Sequence, residues 1–124
     1  MQIEENAEFI NYTRHPVHYL SRKDHSVLVT FKPVGHNTRI KLNHETTKKV
    51  GIIEIGVTKS TAIEDAPPPQ KEGVYYIVSL CTKRHFPDRR DIICPQEQVR
   101  RYGKVIGCLR FTDTFEEEVY LEAA

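Results

Sequence analysis

The chain has 124 residues, which suits one domain with a hydrophobic core and is too short for two independent ones. Hydrophobic residues make up 39% of it, and a formal net charge of +1 gives it no strong long-range field. Proteins that coat nucleic acid are usually far more basic, so the composition argues against generic nucleic-acid binding and leaves room only for a local positive patch.

Short runs of β-branched and aromatic residues, separated by turn-forming residues, indicate about eight short strands. Helical periodicity is almost absent, and only residues 81–86, which Pro87 terminates, predict one or two helical turns. The predicted strands, in chain order, are residues 17–20, 26–32, 39–42, 50–58, 74–80, 92–94 and 104–111, followed by 118–121 as a last strand or a fraying helix.

The segments between these strands are polar or rich in proline. Residues 1–8 are polar and acidic and predict a flexible N-terminus. Residues 43–49 are hydrophilic and separate two predicted strands, and residues 96–102 predict a polar segment with a single helical turn. Three consecutive prolines at 67–69 favour polyproline II, so we expect residues 59–72 to form a surface connector.

Together these elements predict a mainly β, or β-dominated α+β, fold. We expect a single small domain over residues 9–122, built as a curled antiparallel sheet or partly open barrel with one or two short helical turns. The Pro-rich connector at 59–72 does not separate two domains, because neither half has enough apolar surface to fold alone. Gly51 and Gly56, inside the predicted strand 50–58, indicate a bulge, a bend or a close backbone approach.

Three cysteines, Cys81, Cys94 and Cys108, lie in or beside apolar runs and form no C-x-x-C pair. They therefore predict small buried thiols rather than a zinc or redox site. An odd number of cysteines, in a chain without a signal peptide, is typical of a reducing compartment. No apolar run approaches the ~18–20 residues of a membrane span. We expect a soluble cytoplasmic protein with no membrane partner.

Arginine is concentrated in the second half of the chain. Its planar guanidinium suits bidentate binding of phosphate or carboxylate, which predicts an anion-binding face. The same residues could instead form surface ion pairs that contribute little to stability, and both interpretations stay open. The arginines in this stretch are Arg84, Arg89, Arg90, Arg100, Arg101 and Arg110.

Histidine is also frequent, with six in the chain, but its spacing does not indicate a metal site. Pro16 argues against a helix around His15 and His18, and on a strand a separation of three residues places them on opposite faces. The chain has no H-E-x-x-H motif, and no local context that would activate a thiol. The sequence therefore predicts no metal and no cofactor, and it favours a protein without catalytic activity while leaving an enzyme open.

Several short motifs are spread over most of the chain, with a looser match between residues 21 and 72. They are Asn11-x-Thr13-x-His15-Pro16, Tyr76-Ile77-Val78-Ser79, Arg89-x-Asp91 followed by Pro95, and Val99-Arg100-x-x-Gly103-x-Val105-x-Gly107-Cys108. In these features the chain resembles a group of small bacterial and phage-encoded proteins of unassigned function. The resemblance implies a phage or mobile-element setting, and with it the cytoplasm of the host.

The resemblance also implies a set of candidate functional positions at strand ends. Some of them have structural alternatives, since Asp91 could pair with Arg89 or Arg100, Ser79 could cap a turn, and Cys108 could fill the core. The candidate ligand-binding residues are Thr13, His15, Ser79, Arg89, Asp91 and Arg100, with Cys108 as a further position.

Three functions follow as hypotheses. The favoured one is a non-enzymatic, phage-type protein that binds and sequesters an anionic small molecule, most simply a nucleotide such as a host defence signal, with Arg89, Arg100 and His15 in the pocket. Such a site could lie at a subunit interface of a homo-oligomer. The alternative is an interaction module that binds and inhibits a host or phage protein through an exposed sheet edge. A hydrolase that processes a nucleotide comes third.

Overall fold

Eight strands and one helical turn make up the regular structure of residues 1–116, the part of the chain that the computed structural model describes. The predicted strand at 118–121 lies outside these residues. In chain order the elements are β1 (Glu8–Asn11), β2 (Val17–Leu20), β3 (Val27–Phe31), β4 (Arg39–Val50), β5 (Ile53–Glu64), β6 (Val74–Ile77), α1 (Leu80–Lys83), β7 (Ile92–Arg101) and β8 (Lys104–Thr112).

Six of the strands form one curled sheet in the order β1-β6-β7-β8-β2-β3. Its two edges meet where the amide of Val34 donates to the carbonyl oxygen of Asn11 at 3.0 Å, so the sheet is nearly closed. The predicted fold, a small mainly β domain with a curled sheet and a short helical turn, is confirmed. The predicted antiparallel pairing is wrong for three pairs of strands, because β1 with β6, β6 with β7 and β2 with β8 are parallel. The sheet is therefore mixed, and the chain crosses from β6 to its parallel neighbour β7 through α1 and a loop.

The other two strands, β4 and β5, form a long two-stranded hairpin that we call the arm. Nearly all of its residues are exposed. The predicted strand at 39–42 is too short, since the hydrophilic residues 43–49 also belong to β4. A strand with solvent on both faces needs no alternation of apolar and polar residues, so its polar sequence does not indicate a strand. The chain reverses at Gly51, whose φ of 62° suits glycine.

Gly56 lies within the arm, where β5 passes close to the backbone of β4. A Cβ atom at this position would collide with the carbonyl oxygen of Glu45. The expectation of a close backbone approach at Gly56 is therefore confirmed, and any side chain there would force the two strands apart.

The proline-rich connector is shorter than predicted and is packed against the domain. Strand β5 continues to Glu64, so only residues 65–73 connect it to β6. Pro67 is buried, and the carbonyl oxygen of Pro68 accepts a hydrogen bond from Arg89 Nη2 at 2.8 Å. The prediction of a surface connector at 59–72 is wrong for its first residues, which are paired in the arm.

Strand β7 extends well beyond the predicted run at 92–94. It pairs with β8 as far as Arg101, and Tyr102 and Gly103 form the hairpin turn with φ angles of 51° and 76°. The predicted helical turn within 96–102 is wrong, because cross-strand hydrogen bonds hold these exposed polar residues in an extended conformation.

One face of the sheet carries the hydrophobic core. The loop that follows α1 packs on this face, where Phe86 adds a partly buried ring. Alternation along β6 places Val74 and Tyr76 on the core side and Tyr75 on the opposite side. The buried cluster consists of Tyr12, Val74, Tyr76, Val78 and Ile92.

The cysteine prediction holds for two residues of three. Cys94 and Cys108 are buried in β7 and β8, whereas Cys81 is exposed on α1. Burial raises the pKa of the Cys94 and Cys108 thiols, since their charged forms would lose solvation.

Residues 1–116 contain no helix long and apolar enough to cross a membrane.

Candidate functional site

The Asn11-x-Thr13-x-His15 motif forms a tightly bonded loop after β1. Asn11 is 1% exposed, and its Nδ2 donates to the carbonyl oxygens of His15 at 2.9 Å and Phe31 at 2.8 Å. Its Oδ1 accepts from the amide of Thr13 at 2.8 Å, and the Thr13 hydroxyl lies 2.6 Å away. Since the side chain of Asn11 ties the loop to β3, the motif has a structural role at the seam of the sheet, where its two edge strands β1 and β3 meet.

Ser79 begins α1 as its N-terminal cap. Its Oγ accepts from the amide of Thr82 at 3.3 Å and lies 3.1 Å from the buried Thr82 hydroxyl. Capping by serine is an ordinary stabilising role, and it agrees with the alternative considered for this residue from the sequence.

Arg89 and Asp91 bind each other. The Asp91 carboxylate is 4% exposed and accepts from Arg89 Nε at 3.1 Å and from Nη2 at 2.6 Å. The guanidinium also donates to the carbonyl oxygen of Pro68. These two predicted ligand-binding residues thus hold the proline segment against the sheet.

Arg100, His15 and Cys108 lie in three different environments. Arg100 is exposed near the turn between β7 and β8, where it pairs with Val105. The side chain of His15 is exposed, and its backbone carbonyl oxygen is the atom that accepts from Asn11. Cys108 is buried within β8.

Two of the predicted residues do share a cavity. Thr13 and Ser79 line a space of about 420 Å³ beside Pro95, at the carboxyl ends of β1 and β6. The strands β1, β6 and β7 are parallel here, and the carboxyl edge of parallel strands is a common position for ligand sites. The lining of this cavity does not include His15, Arg89, Asp91 or Arg100.

A larger cavity, which we call the aromatic trough, lies on the face of the sheet opposite the core. Its volume is about 940 Å³, and every strand of the six-stranded sheet contributes to its lining. Phe31 of β3 contacts Phe111 of β8 although β2 lies between these strands, so the trough occupies the concave side of the sheet. The aromatic residues that line it are Phe9, Tyr19, Phe31, Tyr75 and Phe111.

The rings of the trough form two nearly parallel pairs. Phe9 and Tyr75 have centroids 5.2 Å apart and planes inclined by 16°, and Tyr19 and Phe111 have centroids 6.1 Å apart and planes inclined by 15°. Phe31 contacts both pairs, at 5.2 Å from Phe9 and 5.9 Å from Phe111. Such a cluster provides aromatic surface against which a planar ligand can pack.

Two arginines stand at the trough and share one carboxylate. Arg22 and Arg110 both line it, and both pair with Glu97, Arg22 through Nη2 and Arg110 through Nε at 3.4 Å. The hydrogen bond from Arg22 lowers the pKa of Glu97, and the same contact raises the pKa of Arg22. Within this group of three side chains, two guanidinium groups on a single carboxylate leave one positive charge in excess, whereas the other charged residues that line the trough are acidic.

Acidic residues complete the rim of the trough. The Tyr75 hydroxyl donates to Glu4 Oε1 at 2.6 Å, and this hydrogen bond is the main cause that raises the pKa of Tyr75. Glu5 and Asp113 also line the cavity. The trough therefore offers acceptors as well as cations around its aromatic surface.

Comparisons with protein-family models, with curated proteins and with solved structures find no match. The geometry of the residues must therefore carry any functional conclusion. Within residues 1–116, no three or more His, Cys, Asp or Glu side chains are grouped as metal ligands.

The trough did not follow from the sequence motifs, because its aromatic residues are scattered singly along five strands. Phe9, Tyr75 and Phe111 have no common spacing, and only closure of the sheet brings them together. One signal was available for two of the rings. Phe9 precedes Ile10 and Tyr75 lies between Val74 and Tyr76, so both rings alternate with residues that pack in the core.

Proposed function

We propose that this protein binds an anionic, planar small molecule in the aromatic trough without converting it, and that a nucleotide is the best fitting class. The observation that carries this proposal is the shared Glu97, which leaves Arg22 and Arg110 with an excess positive charge next to the rings of Tyr19 and Phe111. A nucleobase would stack on the rings, and the phosphate would bind the guanidinium groups.

The dimensions of the trough support a ligand of this size. Sites for small molecules usually enclose about 300–1,000 Å³, and the trough, at about 940 Å³, lies within that range. Stacking of a base on an aromatic side chain contributes roughly 1–3 kcal/mol. Acceptors such as Asp113 and Glu5 could bind the amino groups of a base and so contribute selectivity.

The proposal gives no residue of the trough a catalytic role. The trough-lining residues within the described chain include neither Cys nor His, so a thiol nucleophile or an imidazole base is not part of the proposed site. Sequestration of a nucleotide signal in the host of a phage is the use that the sequence resemblance suggests. The proposal thus keeps the predicted class of ligand and moves the site from Arg89, Arg100 and His15 to the trough.

A thermal shift screen with a panel of nucleotides, including cyclic forms, tests the proposal. A ligand at 100 times its Kd stabilises the folded state by about 2.7 kcal/mol, which raises Tm by on the order of 10 °C for a domain of this size. Chromatography of the incubated ligand should recover it unchanged.

Three variants locate the binding site. Arg22→Ala and Phe111→Ala should each abolish most of the shift, whereas Arg100→Ala, which removes an exposed arginine outside the trough lining, should leave it intact. No shift with any nucleotide at millimolar concentration would overturn the proposal. Loss of the shift in Arg100→Ala alone would return the site to the residues predicted from the sequence, and consumption of the ligand would indicate an enzyme.

The arm favours a second candidate function, a protein-interaction module. It projects two long exposed strands whose outer edges have backbone groups free to pair with another chain. Such a module could bind a host or phage protein independently of the trough. Capture of one host protein by the wild type, and not by a variant without residues 41–62, would support this candidate.

A further inference from the structure

We infer that the arm is a self-association element, in which an apolar stripe on one of its faces packs against the same stripe of a second copy of the chain. The stripe consists of Val50, Ile53, Ile55 and Val57. Val50 lies opposite Ile53 in the β-ladder, and Ile53, Ile55 and Val57 alternate along β5, so all four side chains point to one side.

These side chains are exposed to an extent that a folded monomer rarely tolerates in a contiguous group. Ile53 is 58% exposed, Val50 is 61% exposed, and the adjoining Ile52 in the turn is 95% exposed. The opposite face of the arm is polar, since it carries Thr46 and Thr58. Exposed apolar patches of this kind mark interaction surfaces.

Within residues 1–116, the arm has little support from the rest of the domain. It is attached near its base, where the Thr38 hydroxyl donates to the carbonyl oxygen of Asp65 at 2.6 Å and Ser60 Oγ lies 2.8 Å from His85 Nε2. An isolated two-stranded hairpin is marginally stable in water at best, so a partner that covers the distal part of the arm would stabilise it. A second copy of the chain is the partner always present at equal concentration.

The charge pattern beside the stripe fits a copy of itself. Glu45 lies opposite Val57 and Lys48 lies opposite Ile55, on the same face as the stripe. Two copies can pack stripe to stripe about a two-fold axis that passes between these two residue pairs, with their strands antiparallel. In that arrangement Glu45 of one copy would lie against the partner's Lys48.

Analytical ultracentrifugation of the full chain tests the inference. At tens of micromolar, the wild type should sediment at twice the chain mass of 14.4 kDa. Ile55→Lys should raise the dissociation constant at least tenfold, and Ile55→Thr should weaken association while keeping a β-branched residue that supports the hairpin. Thr58→Lys adds the same charge to the same strand on the opposite face, and it should leave the mass unchanged.

A charge swap separates self-association from binding to another protein. Lys48→Glu alone should weaken the dimer, and the double variant Glu45→Lys with Lys48→Glu should restore it, because each copy then supplies both partners again. A wild type that stays at 14.4 kDa at 100 μM overturns the inference, as does an assembly that Ile55→Lys leaves intact. The arm substitutions do not touch the trough, so nucleotide stabilisation remains a separate readout.

Discussion

The Arg89–Asp91 pair can be tested directly for a structural role. Asp91→Ala removes a carboxylate that is 4% exposed and that accepts two hydrogen bonds from one guanidinium. Breaking a buried ion pair usually destabilises a protein by about 3–5 kcal/mol. The Arg89 side chain is 25% exposed, so water can solvate part of its charge once the Asp91 carboxylate is gone. We therefore expect destabilisation at the low end of that range, about 3 kcal/mol.

Urea denaturation measures this effect. With an m-value of about 1.5–2 kcal/mol/M, Asp91→Ala should lower the midpoint by roughly 1.5–2 M without changing the slope. Arg89→Ala should cost a similar amount. The double variant should be little worse than either single one, with a coupling free energy of about 2.5–3 kcal/mol, because the two residues form one interaction.

Arg100→Ala is the matched control, since it removes an exposed arginine and should change stability by less than about 0.5 kcal/mol. A loss below about 1 kcal/mol for Asp91→Ala, or strict additivity in the double variant, would refute the structural assignment. The ligand-binding role that the sequence predicted for Arg89 and Asp91 would then again be a hypothesis to test.

Three further predictions concern Asn11 and the cysteines. Asn11→Ala should destabilise the protein by about 2–4 kcal/mol, because the carbonyl oxygens of His15 and Phe31 lose their donor; a urea midpoint within error of the wild type would contradict this. Cys81 should react with a thiol reagent at pH 8 at least about 100 times faster than Cys94 and Cys108. Burial raises the pKa of these two thiols above the ordinary value of 9.0, so their contribution to stability is fully present at a pH below that value. Under reducing conditions the unfolding free energy should therefore fall as pH rises above about 9, and a flat profile to pH 10.5 would count against it.

The sequence predicted those parts of the fold that bury apolar side chains. The runs at Val74 and Ile92 became β6 and the start of β7, because a strand that packs on a core must carry apolar residues. The hydrophilic stretch 43–49 is absent from the predicted strands, since an arm exposed on both faces has no such requirement. Burial against a core requires apolar residues at regular positions in the sequence, and pairing between exposed strands requires no such pattern.

The candidate site was harder to predict for a related reason. The motif residues Asn11, Ser79 and Asp91 are used in local hydrogen bonds that hold loops and caps in place. The ring cluster of the trough depends on which strands become neighbours, as shown by Phe9 of β1 against Phe31 of β3. Such a contact is set by the topology of the whole sheet, which no single stretch of sequence contains.

The seam at Asn11 also bears on how the chain folds. The arm and the β7–β8 hairpin join residues that are near in sequence, and hairpins form within about 1–10 μs. The parallel pairing of β1 with β6 joins distant parts of the chain, so it carries a larger loop-closure entropy and should come later. Until β1 docks and Asn11 closes the seam, the rings of the trough stay exposed to other chains. Refolding of this protein should therefore compete with aggregation, and the recovered yield should depend on protein concentration.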